Sequence, residues 1–151
     1  MTPVGPPARI EALRGKGGIE LISRSGRIAY RSGIAVAVAV SFLQVWMNLA
    51  VGIVGDTDNP QNAGFFGVVV TAAACAFAAR LRPDGMARAM LATAGVQALL
   101  GLMVATAPIT ARDPMGAGGV AMLSGVFVTL WLVSAALFHR SARAEAAAAP
   151  G

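Results

Sequence analysis

Three carboxamide side chains interrupt stretches of the sequence that are otherwise apolar: Gln44, Asn48 and Gln97. Gln44 and Asn48 are four residues apart, so on a helix they lie on one face. An amide that faced lipid would leave its donors and acceptors unpaired, so we expect this face to point inward. The sequence predicts that Gln44 and Asn48 form interhelical hydrogen bonds with Gln97, and the alternative is a polar pathway or a small-solute site lined by the three residues.

A short polar turn separates the first two apolar stretches and carries Asp56, Asp58, Asn59 and Asn62. Asn59 suits a helix N-cap, and Pro60 suits the first helical position. The alternation of Asp56 and Asp58 is similar to the start of a calcium loop, but the glycine at the sixth position and the distant glutamate are missing. We therefore predict a solvated outer turn that caps the second helix, with no metal.

Few other residues could support catalysis. His139 is the only histidine, and the predicted topology places it at the membrane face opposite Asp56 and Asp58. The two aspartates alone lack a neighbouring nucleophile and base. Cys75 is the only cysteine, and we interpret it as a small packing residue. The sequence predicts a protein that is not an enzyme and has no cofactor.

The composition is typical of a membrane protein. Hydrophobic residues make up 56% of the chain and the mean hydropathy is +0.68. Charged residues make up 13%, whereas soluble domains average about 25%. The net charge of +5 does not indicate nucleic-acid binding, because the basic residues flank apolar segments and do not form a patch with aromatics.

The order of apolar and polar segments predicts an all-α, four-helix transmembrane bundle. The membrane domain covers 32–139, with helices at about 32–54, 60–79, 86–107 and 120–138. Residues 1–31, rich in Pro, Gly and Arg, are predicted to be a flexible cytoplasmic arm. Residues 140–151 are predicted to be a disordered, Ala-rich tail.

The basic residues also predict the topology. Six lie in the N-terminal arm, none in the outer turn, three around Pro83, one in the loop at Arg112 and two after His139. This alternation places the N and C termini in the cytoplasm. We therefore expect a multi-pass membrane protein, with the outer turn on the opposite side of the membrane.

Small residues recur at four-residue spacing along three of the predicted helices. The second helix carries Ala63, Gly67, Thr71 and Cys75, the third carries Thr93, Gln97, Gly101 and Ala105, and the fourth carries Ala121, Gly125 and Thr129. Such rows allow another helix to approach closely. The predicted partners are therefore the lipid bilayer and either a second copy of the chain or a larger membrane complex.

Two motifs support the membrane interpretation. The stretch from Trp46 to Gly55 reads W-x-N-x-A-V-G-I-x-G, and Asp58 to Asn62 reads D-N-P-x-N. Together with the stretch from Arg82 to Ala89 and with Gln97, they resemble a group of uncharacterised bacterial four-helix inner-membrane proteins. The resemblance implies the four-helix membrane fold and a location in the bacterial inner membrane, and it implies no activity.

The leading functional hypothesis is a non-enzymatic accessory or interaction subunit of the membrane. The alternative is a small-solute or ion transporter or channel that acts as an oligomer and is lined by Gln44, Asn48 and Gln97. A membrane enzyme that uses Asp56 and Asp58 ranks last.

Overall fold

The computed structural model describes residues 6–50, 60, 62–108, 110 and 116–149. These residues form four α-helices: α1 (Pro6–Ala50), α2 (Asn62–Ala78), α3 (Pro83–Ala105) and α4 (Gly116–Ala148). No strand occurs within these ranges. The predicted all-α, four-helix fold is confirmed.

The four helices alternate in direction around the bundle. Gly33 of α1 lies against Phe138 of α4, and Gly26 lies against Ala144, so these helices are antiparallel. Gly64 of α2 lies against Leu100 of α3 in the same antiparallel sense. Helix α4 packs extensively on both α3 and α1, whereas the contact between α1 and α2 is the least extensive of the four neighbouring pairs.

Three segments are long and apolar enough to cross a membrane: Gly17–Ala50, Pro83–Ala105 and Gly116–Ala148. Helix α2 is apolar but shorter, with 17 residues. Large apolar side chains also cover the outside of the bundle, among them Phe42, Phe77 and Met122. A continuous apolar exterior suits contact with lipid tails, so the structure indicates a membrane protein.

Helices α1 and α4 extend beyond the bounds predicted for them. Helix α1 begins at Pro6 rather than near 32, and α4 continues to Ala148, through most of the predicted disordered tail. The two extensions meet at Gly26 of α1 and Ala144 of α4, where a Cβ on Gly26 would lie 2.9 Å from the Ala144 Cβ, so the glycine permits the close approach. Prolines at the start of α1 do not prevent a helix, since proline fits the first helical turn.

The turn between α2 and α3 is closed by two residues in the left-handed region, Arg80 (φ 50°) and Leu81 (φ 57°). The Leu81 N–H donates to the Ala76 carbonyl and the Arg80 N–H to the Phe77 carbonyl, which is the Schellman pattern at a helix C-terminus. The third helix was predicted to begin at about 86, but α3 begins at Pro83, which occupies its first position.

The Tyr30 hydroxyl of α1 donates to the Leu81 carbonyl at 2.6 Å. This bond places the α2–α3 turn beside the middle of α1, at the level where the basic residues begin. We call this end of the bundle the basic end; it contains the α2–α3 turn, the arginines of α1 and the last turns of α4.

Candidate functional site

The carboxamides of Gln44 and Gln97 meet in the centre of the bundle. Gln44 Nε2 of α1 donates to Gln97 Oε1 of α3 at 2.9 Å and to the Phe65 carbonyl of α2 at 3.0 Å. Both glutamine side chains are 0% exposed. This one amide group therefore joins three helices. It also links α1 directly to α3 across the bundle, although these two helices make few direct contacts. The predicted hydrogen bond between Gln44 and Gln97 is present, whereas Asn48 donates within its own helix, to the Gln44 carbonyl, and not to Gln97.

The backbone fixes the orientation of these amides. The Phe65 carbonyl can only accept a hydrogen bond, so Gln44 must present its NH₂ group there. Gln97 must then present its oxygen to the second N–H of Gln44. Asn48 is oriented in the same way, because its Nδ2 donates to the Gln44 carbonyl at 2.9 Å. The hydrogen bonds to carbonyls therefore decide which atom of each amide remains available.

Three amide atoms in this cluster have no hydrogen-bond partner within the described ranges: Gln44 Oε1, Asn48 Oδ1 and Gln97 Nε2. All three side chains are 3% exposed or less. An unpaired polar atom in a low-dielectric interior is costly, whereas each interhelical bond contributes about 0.6 kcal/mol on average. The cluster therefore specifies how the helices pair more than it stabilises them.

Two α4 side chains, Ser124 and Trp131, also have buried polar atoms without a partner in the described part of the chain. Ser124 packs against Gly101 of α3, one turn from Gln97. The sequence did not predict that Ser124 or Trp131 would lie near the amide cluster. The available signal was a row of residues spaced alternately by four and three, which are all buried: Val120, Ser124, Phe127, Trp131, Ser134 and Phe138.

The predicted small-residue rows divide into two kinds. Gly101 faces inward, where a Cβ would lie 2.5 Å from Ser124. Gly67 and Gly125 face outward, and a Cβ at either position would meet nothing within 4 Å. Thr71 and Cys75, on the α2 row, are partly exposed. At Gly67 and Gly125, the rows on α2 and α4 are therefore not covered by the other described helices.

The threonines in the outward rows do not offer free hydroxyl groups. Thr71 Oγ1 donates to the Gly67 carbonyl at 2.8 Å, and Thr129 Oγ1 donates to the Gly125 carbonyl at 2.8 Å. Helices α2 and α4 thus present the same arrangement, a glycine followed four residues later by a threonine whose hydroxyl is satisfied within its own helix. Each surface is small and smooth, and its hydroxyl causes no desolvation penalty.

The predicted outer turn cannot be compared with the structure at Asp56, Asp58 and Asn59, which lie outside the described residues. The predicted cap on α2 and the similarity to a calcium loop stay predictions. Asn62 is buried and is the first residue of α2. His139 is exposed on α4 near Arg88 at the basic end.

The fold and its central amide cluster define an all-α bundle with three helices of membrane-spanning length. No protein-family model matches the chain, and no match was found among curated proteins or solved structures. The resemblance to a group of bacterial inner-membrane proteins stays a prediction.

Proposed function

We propose that this chain is a four-pass protein of the bacterial inner membrane that acts as a non-enzymatic accessory or interaction subunit. Its partner is a second copy of the chain or a larger membrane complex. The observation that carries the proposal is the pair of outward small-residue rows, Gly67–Thr71 on α2 and Gly125–Thr129 on α4.

The physical argument rests on how helices associate in lipid. Lipid tails are as apolar as leucine, so burying apolar surface gives little driving force there. Association depends on close packing, which small residues permit because the two backbones can approach. Glycines with open space at the Cβ position, on a surface otherwise covered by large apolar side chains, are therefore suited to receive another helix.

The direction of the helices supports four passes. Helix α1 ends at Ala50, at the end opposite the basic end, and α3 begins at Pro83, at the basic end. Between them α2 runs back along the bundle, antiparallel to α3. Its 17 residues cover about 26 Å, close to a hydrocarbon core of about 30 Å. The arginines at the basic end favour a cytoplasmic location for both termini.

A transporter or channel is the less supported alternative. The unpartnered atoms of Gln44, Asn48 and Gln97 favour it, because they could interact with a polar solute. However, each of these side chains is almost completely buried and donates a hydrogen bond within the bundle or, for Gln97, accepts one. Such amides are more consistent with specifying helix pairing than with lining a path.

Substitution by leucine in the outward rows tests the proposed function. We expect Gly67→Leu and Gly125→Leu to weaken association of the protein in liposomes or native membranes about tenfold or more, because a branched side chain separates the helices. Leucine has a higher helix propensity than glycine, so the helices themselves should persist. The measurement is the stoichiometry of complexes, by single-molecule photobleaching of the labelled full chain.

Gly95→Leu is the matched control. Gly95 is also exposed, with nothing within 4 Å of a Cβ, but leucines Leu91 and Leu99 flank it one turn away on α3. It therefore lies on a surface that is already bulky. A wild-type protein found only as a monomer without another protein, or equal effects of all three substitutions, would contradict the proposal.

A further inference from the structure

A cavity of about 720 Å³ opens at the basic end, between α1, the α2–α3 turn and the end of α4. Arg24, Arg27 and Arg31 of α1 line it, spaced by three and four residues and so on one face of the helix. Arg82 lines it from the turn and Glu145 from α4. With four arginines and one glutamate, the cavity is strongly cationic.

Within the described part of the chain, no arginine of the cavity forms a salt bridge. The one salt bridge among the described residues joins Arg88 and Asp84, and neither residue lines the cavity. Guanidinium groups gathered from two elements suit a phosphate, because their planar arrays of donors match its oxygens. The Tyr30–Leu81 hydrogen bond holds the turn that carries Arg82 against α1, so the two elements keep a fixed separation.

An apolar groove of about 670 Å³ adjoins this cavity. It runs between α1 and α2, the neighbouring helices with the least extensive contact, and is lined by side chains such as Ile34, Phe42 and Val69. Leu81 lines both the cavity and the groove, so the two lie side by side. A cationic cavity beside an apolar groove on the outer surface of the bundle has the chemistry of a phospholipid site.

We propose that this protein binds an anionic phospholipid, with the phosphate among Arg24, Arg27, Arg31 and Arg82 and an acyl chain in the groove between α1 and α2. A free phosphate would use only the cavity. The adjacent groove favours the lipid, because the acyl chain adds apolar contact that a soluble headgroup lacks. This site is separate from the outward rows of α2 and α4 and does not depend on a protein partner.

Lipid retention by the purified full chain tests the site. The protein is exchanged into nanodiscs containing phosphatidylglycerol and phosphatidylcholine, released, and analysed by native mass spectrometry. We expect the wild type to retain phosphatidylglycerol in preference to phosphatidylcholine. The double variant R27Q/R31Q should lose this preference about tenfold, since each arginine near a membrane surface contributes measurably to binding an anionic lipid.

The variant R140Q/R143Q is the matched control. Both arginines are exposed on α4 near the same end of the bundle and do not line the cavity. Their replacement removes the same amount of charge as R27Q/R31Q. This control should retain phosphatidylglycerol like the wild type. Equal retention of phosphatidylglycerol by R27Q/R31Q and the control would overturn the proposal. A wild type without preference for phosphatidylglycerol would also overturn it, and this outcome does not depend on any variant.

A second arm separates the lipid from a free phosphate. Ala73 lines the groove and is exposed, so Ala73→Trp should fill the groove while leaving the arginines in place. We expect this variant to lose phosphatidylglycerol retention, and we expect glycerol phosphate to bind the wild type far more weakly than the lipid. Glycerol phosphate binding as tight as lipid binding, with no effect of Ala73→Trp, would show a phosphate site and overturn the lipid assignment.

Discussion

Replacing Gly101 by alanine is expected to destabilise the bundle by about 1–3 kcal/mol, the range for overpacking a tight interior. A Cβ at Gly101 would lie 2.5 Å from both Cβ and Oγ of Ser124. The Ser124 Cβ is attached directly to the α4 backbone, so it cannot move away without shifting the helix. Because the α3–α4 contact is the most extensive in the bundle, such a shift would affect many other contacts.

The substitution Ser124→Gly should restore most of the stability lost in Gly101→Ala, because it removes the atoms that clash. Gly95→Ala on the same helix is the matched control, since a Cβ there meets nothing within 4 Å. That control should be neutral or more stable by up to about 1 kcal/mol, from helix propensity alone. Unfolding of the detergent-solubilised protein, followed by circular dichroism, measures the differences. A Gly101→Ala variant as stable as Gly95→Ala would contradict the packing described for α3 and α4.

The second large effect is expected from the Gln44–Gln97 pair. Gln44→Leu leaves the Gln97 amide with no hydrogen-bond partner among the described residues, which should cost about 1–3 kcal/mol. Gln97→Leu should cost less, because Gln44 keeps its hydrogen bond to the Phe65 carbonyl. We therefore expect Gln44→Leu to lower the free energy of unfolding more than Gln97→Leu.

The double variant Gln44→Leu/Gln97→Leu should be more stable than either single variant. It removes both amides, including the atoms that have no partner in the described structure, Gln44 Oε1 and Gln97 Nε2. Replacing both members of a buried polar pair by apolar groups of similar shape can be nearly neutral. A double-mutant cycle of unfolding free energies measures this coupling. Additive losses in the cycle would show that the two amides do not act as a pair.

The sequence predicted the fold and the central hydrogen bond for a simple physical reason. Long apolar stretches have few structural options in lipid, and a carboxamide within one must find a partner away from lipid. With Gln44 and Gln97 near the middle of two such stretches, pairing between them was the natural expectation. The contribution of the Phe65 carbonyl was not predictable, because every residue of α2 has one.

The orientation of the small-residue rows could not be predicted from spacing alone. Gly101 and Gly125 both occur in rows with a four-residue repeat, yet one faces α4 and the other faces outward. The choice on α4 is made by the large side chains Phe127, Trp131 and Phe138, which are completely or almost completely buried and turn the helix so that Gly125 points away. Packing of large residues thus determines which row of small ones remains free.

The basic cavity shows a further limit of sequence reasoning. The rule that arginines flank the cytoplasmic ends of helices explained each of them separately. It did not predict that Arg82 would lie beside Arg27 and Arg31, because their proximity depends on the Tyr30–Leu81 hydrogen bond and on the length of α1. The extensions of α1 and α4 were missed for a similar reason, since the contact between them at Gly26 and Ala144 is a tertiary one.

Site-specific photocrosslinking in native membranes tests most directly the central claim that the outward rows of α2 and α4 contact another protein. A photoreactive residue is placed at Gly67, Gly125 or, as the control, Gly95 of the full chain. The account predicts discrete protein adducts, to a second copy or to another membrane protein, at Gly67 or Gly125 and far fewer at Gly95. Absence of protein adducts at both row positions, or equal yields at Gly95, would contradict it.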